Sequence, residues 1–141
     1  MMPPISQEAG QVTGGKPKVL VIDDTSEKRS RIKGALEDRG YAVDEAFDGD
    51  DGIRKYIPGR YAVVVCDQRM PGKYGEKVIP EIKKMSPNQP VVMFSKDVGG
   101  FTDEQKKAIG ADEYVNPTGE GNMWARLGDA VNRLAKLREK N

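Results

Sequence analysis

Three aspartates stand at the ends of apolar stretches, where a carboxylate could do chemistry. Asp67 ends the stretch Tyr61–Asp67, and the pair Asp23 and Asp24 follows the stretch Lys18–Ile22. Apolar, β-branched stretches of this length are typical of strands buried on both faces of a parallel sheet. Because ligands bind at the carboxyl ends of such strands, we expect the three carboxylates to meet there.

Each acid could instead have a purely structural role. Aspartate and serine are favoured at helix N-termini, so Asp67 could cap the next helix, and Asp24 or Ser26 could cap the helix after the first strand. Capping explains one polar residue there, but it leaves the second of two adjacent, mutually repelling acids unexplained. Polar groups also follow the fourth and fifth predicted strands, and this convergence on one sheet edge favours a functional role for Asp67.

The residue types define the chemistry that such a site could perform. Three carboxylates can gather around a divalent cation, and Mg²⁺ prefers oxygen ligands in octahedral geometry. A carboxylate that attacks phosphorus needs a cation to screen the repulsion between anions, and a hydroxyl at Ser95 could donate a hydrogen bond to the product. The chain has no histidine, which excludes Ser-His-Asp and Cys-His catalysis and argues against a transition-metal site.

Composition bounds the function further. The chain has 23 basic and 22 acidic residues and a net charge of +1, so it lacks the basic excess that favours nucleic-acid binding. No apolar run approaches the roughly 18 residues of a membrane-spanning helix. The single cysteine, Cys66, lies inside an apolar stretch, which predicts a buried, unreactive thiol in a reducing compartment. We therefore expect a cytoplasmic protein that contacts neither nucleic acid nor membrane.

Strands and helices are expected to alternate five times. The patterns predict strands at 18–22, 41–46, 61–67, 90–94 and 112–115, and helices at 27–39, 48–56, 75–85, 102–109 and 122–139. Right-handed crossovers on a parallel sheet then give a three-layer, doubly wound α/β domain of (βα)5 type. Residues 1–16 are predicted to be a disordered tail, and residues 17–141 a single domain.

Three predictions concern individual helices. Pro80 lies within the third predicted helix, which should therefore begin late or bend. Thr102 should cap the fourth helix, with Gln105 in its first turn. In the last helix, apolar residues at three- and four-residue spacing should pack in the core. These core residues are Trp124, Leu127, Val131, Leu134 and Leu137.

The motifs at the strand ends resemble those of the receiver domain of bacterial two-component response regulators, of the chemotaxis-regulator kind. The resemblance rests on VIDD (21–24), DQRMPGKYG (67–75), VVMFS (91–95) and GADEYV (110–115), and it covers about residues 17–137. It implies a flavodoxin-like sheet of five parallel strands in the order 2-1-3-4-5.

The resemblance also implies a phosphorylation site that uses Mg²⁺. Asp67 would accept a phosphoryl group from a histidine on a separate sensor kinase or histidine phosphotransfer protein. Asp24 would bind Mg²⁺ directly and Asp23 through water, while Asp67 and the backbone carbonyl of Arg69 would complete the protein ligands. The chain would thus be a phosphoacceptor that assists its own phosphorylation and dephosphorylation, and not a turnover enzyme.

Two further residues would convert phosphorylation into a signal. Ser95 would move to bond the phosphoryl group, and Tyr114 would be the aromatic switch that turns inward behind it. An unknown output protein would bind the face formed by the fourth helix, fifth strand and fifth helix, at about residues 102–137. The chain would act either as a stand-alone switch or as one module of a larger protein.

One position departs from the family pattern. The family places a lysine before the proline that follows strand five, whereas this chain either has Asn116 in its place before Pro117 or is one residue short there. An amide can hydrogen-bond an anion, but charged donors are roughly twice as strong. Lys96, directly after Ser95, could restore part of the missing charge, and the alternative is that Lys96 is a solvated loop residue.

Three other functions fit the sequence in part. The missing lysine would suit a pseudo-receiver, an interaction module without regulated phosphorylation, although three crowded acids argue against it. An aspartyl phosphohydrolase commonly needs a second acid two residues after the nucleophile, where this chain has Arg69. A flavin-binding protein of the same topology is disfavoured, because the acidic loop after strand one would repel a phosphate.

Overall fold

Five strands and five helices alternate along the chain in the computed structural model, which describes residues 15–96, 100–116 and 122–140. The strands are β1 (Lys18–Ile22), β2 (Ala42–Ala46), β3 (Val63–Asp67), β4 (Val91–Phe94) and β5 (Glu113–Val115). The helices are α1 (Ser26–Glu37), α2 (Gly49–Lys55), α3 (Gly75–Met85), α4 (Asp103–Ile109) and α5 (Met123–Lys140). Most of the predicted tail, residues 1–14, lies outside the described residues.

All four strand pairings are parallel, and the sheet order is β2-β1-β3-β4-β5. This order confirms the predicted doubly wound, flavodoxin-like α/β architecture. β1 and β3 are neighbours in the middle of the sheet, and Ile22 and Cys66 are partners in their register. The next residues, Asp23 and Asp67, therefore lie side by side at the carboxyl edge of the sheet. The sheet order therefore determines which loops meet at that edge.

The two faces of the sheet pack against separate sets of helices. Val19 and Val21 of β1 belong to one buried cluster, with residues of α1 and α5, while Leu20 and Ile22 belong to the other, with residues of α3 and α4. This alternation follows from the two-residue period of a strand. It explains why β3 is apolar from Val63 to Cys66, since every side chain of a central parallel strand is covered on its own face.

The helix ends agree with most of the sequence predictions. Thr102 caps α4 through a capping box, in which its hydroxyl oxygen accepts from Gln105 N at 3.0 Å and its own N–H donates to Gln105 Oε1 at 2.7 Å. Gly110 ends α4 with a φ of 84°, a left-handed conformation that glycine adopts without strain.

The predictions for α3 and α5 do not hold in full. Of the two alternatives given for Pro80, the late start is wrong, because helix α3 begins at Gly75 and contains Pro80, while a bend stays a prediction. The loop after β3 satisfies a free N–H group in the first turn of α3, because Gly75 N donates to Gln68 O at 2.8 Å. Leu137 is 57% exposed and does not pack in the core, whereas Leu134 is buried. The core contact of α5 thus ends about one turn before the predicted position.

None of the described helices combines the length and the apolar character that a membrane span requires. Cys66 is fully buried in β3, and burial raises the pKa of its thiol well above the ordinary value. The burial of Cys66 is confirmed, and the raised pKa disfavours the thiolate, which is the reactive form.

Two glycine-to-alanine substitutions should have opposite effects on stability. A Cβ at Gly75 would lie 2.6 Å from the backbone oxygen of Asp67, which cannot move without shifting the loop after β3. A Cβ at Gly34, in α1, would meet nothing within 4 Å. We expect Gly75→Ala to lower the free energy of unfolding by about 2 kcal/mol or more. Gly34→Ala should raise it by about 0.5–1 kcal/mol through helix propensity.

Urea unfolding followed by circular dichroism measures both changes, with Gly34→Ala as the matched control for the loss of a helical glycine. Equal effects of the two variants would contradict the close approach at Gly75.

Candidate functional site

The carboxylates of Asp23, Asp24 and Asp67 meet at the carboxyl edge of the sheet. Each offers one oxygen, and these oxygens all lie within 4.8 Å of one another. Asp23 and Asp67 are buried, with 1% and 7% of their surface exposed, while Asp24 is exposed to solvent. The expected meeting of the three acids therefore occurs, with two acids in the protein interior and one at the surface.

The backbone around Asp23 is held on several sides. Asp23 N donates to Ala46 O of β2 at 3.1 Å, and Asp23 O accepts from Arg29 Nη1 of α1 at 2.8 Å. The side-chain oxygen Oδ1 accepts from Thr25 N at 2.9 Å. These bonds fix the turn between β1 and α1, and with it the direction of the Asp23 carboxylate.

The alternative capping roles for the acids are wrong. The N-cap residue of α1 is Thr25, so neither Asp24 nor Ser26 occupies that position. Thr25 itself makes no side-chain capping bond. The N-cap residue of α3 is Tyr74, well removed in sequence from Asp67. Asp67 instead accepts a hydrogen bond at Oδ1 from the adjacent Gln68 N at 2.9 Å. Asp67 thus lies at its strand end without serving a helix.

A lysine from α1 contacts both buried acids. Lys28 Nζ lies 3.1 Å from Asp23 Oδ2 and 3.3 Å from Asp67 Oδ1, and it also lies 5.4 Å from the centre of the Phe94 ring. Lys28 was not among the predicted site residues. One signal was available, because a cation in the first turn of a helix opposes the helix dipole and so indicates an acidic partner nearby.

Burial and charge shift the pKa values of the three groups. Burial raises the pKa of the Asp67 carboxyl to about 6, and it outweighs the opposing effect of the Lys28 charge. Burial likewise raises the pKa of Asp23. Burial alone would lower the pKa of the Lys28 ammonium, but the charges of Asp67 and Asp23 outweigh it and raise that pKa. The acids are thus costly to ionise, and the ammonium is stabilised beside them.

The donor set suits a hard divalent cation such as Mg²⁺. Asp23 Oδ2 is buried, and among the described residues its charge is met by the Lys28 ammonium at 3.1 Å. Buried carboxylates are stable as ions only beside positive charge, so the cluster favours cations. Carboxylates from two strand ends, with an exposed one beside them, match the oxygen chemistry of Mg²⁺ and leave a solvent side for water ligands.

Ser95 belongs to a short chain of polar side chains beside the acids. Its hydroxyl donates to Gln68 Oε1, and Gln68 Nε2 donates to Glu76 Oε2 at 2.9 Å. Ser95 and Gln68 are both buried, and Glu76 lies in the first turn of α3. Neither Gln68 nor Glu76 was predicted, because a glutamine after a strand and a glutamate early in a helix are unremarkable in sequence.

The other predicted site residues lie at or near this edge. Tyr114 of β5 donates its hydroxyl proton to Lys106 O of α4 at 2.9 Å, and its ring packs edge-on against Phe101, with 6.1 Å between ring centres. Asn116 directly follows β5, and its backbone oxygen accepts from Arg126 Nη2.

Two predicted residues are exposed. Lys96 lies beside Ser95 and takes part in none of the ion pairs found within the described ranges. Arg69 lies two residues after Asp67, and its proposed carbonyl contact with a metal stays a prediction.

Comparison with protein families gives one match over most of the chain. The model of the response regulator receiver domain matches residues 19–123. DltR, a transcriptional regulatory protein of Streptococcus agalactiae, is 29% identical over 111 residues, which are 78% of this chain and 50% of DltR. The chemotaxis protein CheY of Thermotoga maritima is 30% identical over 84% of this chain and 98% of its own.

Similar structures agree with these relatives. The response regulator TrrA of Thermotoga maritima, solved in complex with Mg²⁺-BeF, has a TM-score of 0.73 and 30% identity, over 84% of this chain and 98% of its own. The chain spans about half the length of the transcriptional regulators it matches and nearly the full length of the single-domain ones.

Without magnesium, Asp67→Asn should stabilise the protein more at pH 7.5 than at pH 4.5. The pKa of about 6 exceeds the ordinary 3.8, so the folded state binds the proton more tightly than the unfolded chain. This contribution to stability is fully present below about pH 4 and is lost as the pH rises through 6. Asparagine does not titrate, so its advantage should grow by about 1–3 kcal/mol across that range.

Urea unfolding in the presence of EDTA at the two pH values measures this difference. Asp50→Asn is the matched control, because the Asp50 side chain is 71% exposed. An advantage of Asp67→Asn that does not change with pH would contradict the electrostatic cost assigned to Asp67.

Proposed function

The chain belongs to the response regulator receiver domain family, and on that premise we propose that Asp67 accepts a phosphoryl group from a kinase histidine. The observation that carries the proposal is the meeting of three carboxylates at one sheet edge, two of them buried and balanced among the described residues by the single ammonium of Lys28. In the same proposal, Asp23, Asp24, Asp67 and the carbonyl of Arg69 hold Mg²⁺. The domain signals and does not turn over substrate.

The proposed step is an in-line transfer. An oxygen of Asp67 forms a bond to phosphorus as the bond between phosphorus and the donor imidazole nitrogen breaks. The imidazole keeps the electron pair of that bond and takes up a proton from solvent. Bound Mg²⁺ supplies positive charge that neutralises the transferring oxygens. Gln68 N, which donates to Asp67 Oδ1, holds the carboxylate in a fixed orientation for attack.

The donor is proposed to be a sensor histidine kinase or a histidine phosphotransfer protein. TrrA, at 30% identity, has also been solved in complex with the histidine kinase ThkA, which supports a kinase partner for this chain. The absence of histidine from the sequence agrees with a donor on another protein. A cytoplasmic location is part of the proposal.

The proposed signal passes through Ser95 and Tyr114. A phosphoryl group on Asp67 would attract the Ser95 hydroxyl, which now donates to Gln68. Ser95 N donates to Val115 O at 3.0 Å, so a shift of the Ser95 backbone would move or break a hydrogen bond to β5, the strand that carries Tyr114. An output protein would then recognise the changed face of α4, β5 and α5.

A pseudo-receiver without regulated phosphorylation is the second candidate function. One observation favours it, because Asn116 stands where the resemblance expects a lysine. The buried acids weigh against it, since an interaction module has no use for two carboxylates that are costly to ionise.

Acetyl phosphate with Mg²⁺ should add the mass of one phosphoryl group to the protein, and Asp67→Asn should abolish the gain. Intact-protein mass spectrometry measures both. Asp50→Asn, which replaces an exposed aspartate at the start of α2, should be phosphorylated as the wild type is. No gain of mass by the wild-type protein would reject the receiver function and favour the pseudo-receiver.

A further inference from the structure

The geometry points to Lys28 as the cation of the phosphorylation site. We propose that its ammonium contacts the phosphoryl oxygens on Asp67 and supplies, from α1, the charge that the family takes from a lysine after the fifth strand. This inference rests on the proposed function, because it assigns a residue to the same transfer step. The change at Asn116 would then be compensated within the chain.

Lys28 lies next to the carboxylate that would be phosphorylated. Lys28 Nζ lies 3.3 Å from Asp67 Oδ1, the carboxylate that would bear the phosphoryl group, and 3.1 Å from Asp23 Oδ2. Its side chain is 30% exposed, so the ammonium is partly withdrawn from water and also faces the ring of Phe94. An ammonium held this close to the attacking group is within reach of an anion placed on it.

Lys28 occupies an unfavourable position on its helix. Lys28 is the third residue of α1, where the dipole favours acids and disfavours lysine. Two other basic residues of α1 form their ion pairs outside the acidic cluster, since Arg29 Nε and Lys33 Nζ pair with Glu45 of β2, although Arg29 also bonds the backbone oxygen of Asp23. The Lys28 side chain points instead into the acidic cluster, where its ion pairs offset the unfavourable interaction with the helix dipole.

Two lysines, Lys28 and Lys96, could replace the missing charge. Lys96 is exposed and makes no ion pair with the described acids, whereas Lys28 contacts two of the three carboxylates. The hypothesis that Lys96 restores the charge therefore has less structural support than the assignment to Lys28.

Lys28 contacts Asp23 and Asp67, two of the carboxylates that would hold Mg²⁺. The two cations would therefore repel each other, and the flexible four-carbon stem of lysine would let the ammonium move within the site. Two opposite effects follow. Lys28 should weaken the binding of Mg²⁺ alone, because like charges compete for the site, and strengthen the binding of an anion added to Asp67.

The variant Lys28→Met separates these two effects. Its affinity is measured first for Mg²⁺ alone and then for beryllium fluoride in the presence of Mg²⁺. The fluorescence of Trp124, the single tryptophan, reports on both, since its ring centre lies 6.2 Å from that of Phe94, which Lys28 faces. We expect Lys28→Met to bind Mg²⁺ about threefold or more tightly, and beryllium fluoride about tenfold more weakly at saturating Mg²⁺. Lys28→Arg should recover much of the beryllium fluoride affinity.

Lys33→Met is the matched control, because it removes a lysine of α1 that pairs outside the site, and it should leave both affinities unchanged. Urea unfolding of each variant confirms that the folded protein is being titrated. A further variant, Lys96→Met, should bind beryllium fluoride as the wild type does.

Three results would overturn the assignment. Tighter Mg²⁺ binding by Lys28→Met with unchanged beryllium fluoride affinity would make Lys28 a counterion of the metal-free site only. Unchanged affinities for both probes would remove any role, and a loss confined to Lys96→Met would transfer the role to Lys96. A wild-type protein that takes neither beryllium fluoride nor a phosphoryl group would instead reject the proposed function itself.

Discussion

The crowding of negative charge at the carboxyl ends of β1 and β3 is the constraint on which the site depends. Two carboxylates are buried within reach of a third, and burial raises the pKa of both buried acids. The fold offsets part of this cost with the backbone N–H groups of Thr25 and Gln68 and with the Lys28 ammonium. The remaining cost favours any added cation, because a divalent ion would relieve the repulsion that the protein only partly neutralises.

The packing around the acids explains how the fold maintains this crowding. β1 and β3 are central strands whose side chains are buried on both faces, so their ends cannot separate without exposing the core. Gly75 brings α3 against the backbone of Asp67, and Arg29 of α1 bonds the backbone of Asp23. The repulsion between carboxylates is thus opposed by apolar burial and backbone hydrogen bonds, which are collectively much stronger.

The sequence predicted the architecture and the acids well, because both follow from local patterns. Apolar β-branched stretches identify the strands, and parallel topology brings their ends together, so the meeting of Asp23 and Asp67 could be inferred. Lys28 could not be placed in the same way, since its contact with β3 depends on the rotation of α1. Leu137 fits the helical period, yet it is exposed beyond the core. Periodicity does not show where a helix extends past the edge of the sheet on which it packs.

The chain of Ser95, Gln68 and Glu76 shows how the site could be joined to the rest of the molecule. The Ser95 hydroxyl donates to Gln68 Oε1, and Gln68 in turn donates to Glu76, whose Oε1 is buried without a hydrogen bond in the described structure. A phosphoryl group on Asp67 would compete with Gln68 for that hydroxyl. If the Ser95 hydroxyl turned away, Gln68 Oε1 would lose its hydrogen-bond donor in a buried position. An unsatisfied buried acceptor costs about 1–3 kcal/mol. The bond between Ser95 and Gln68 would therefore hold the unphosphorylated arrangement until the new interaction at Asp67 exceeds that cost.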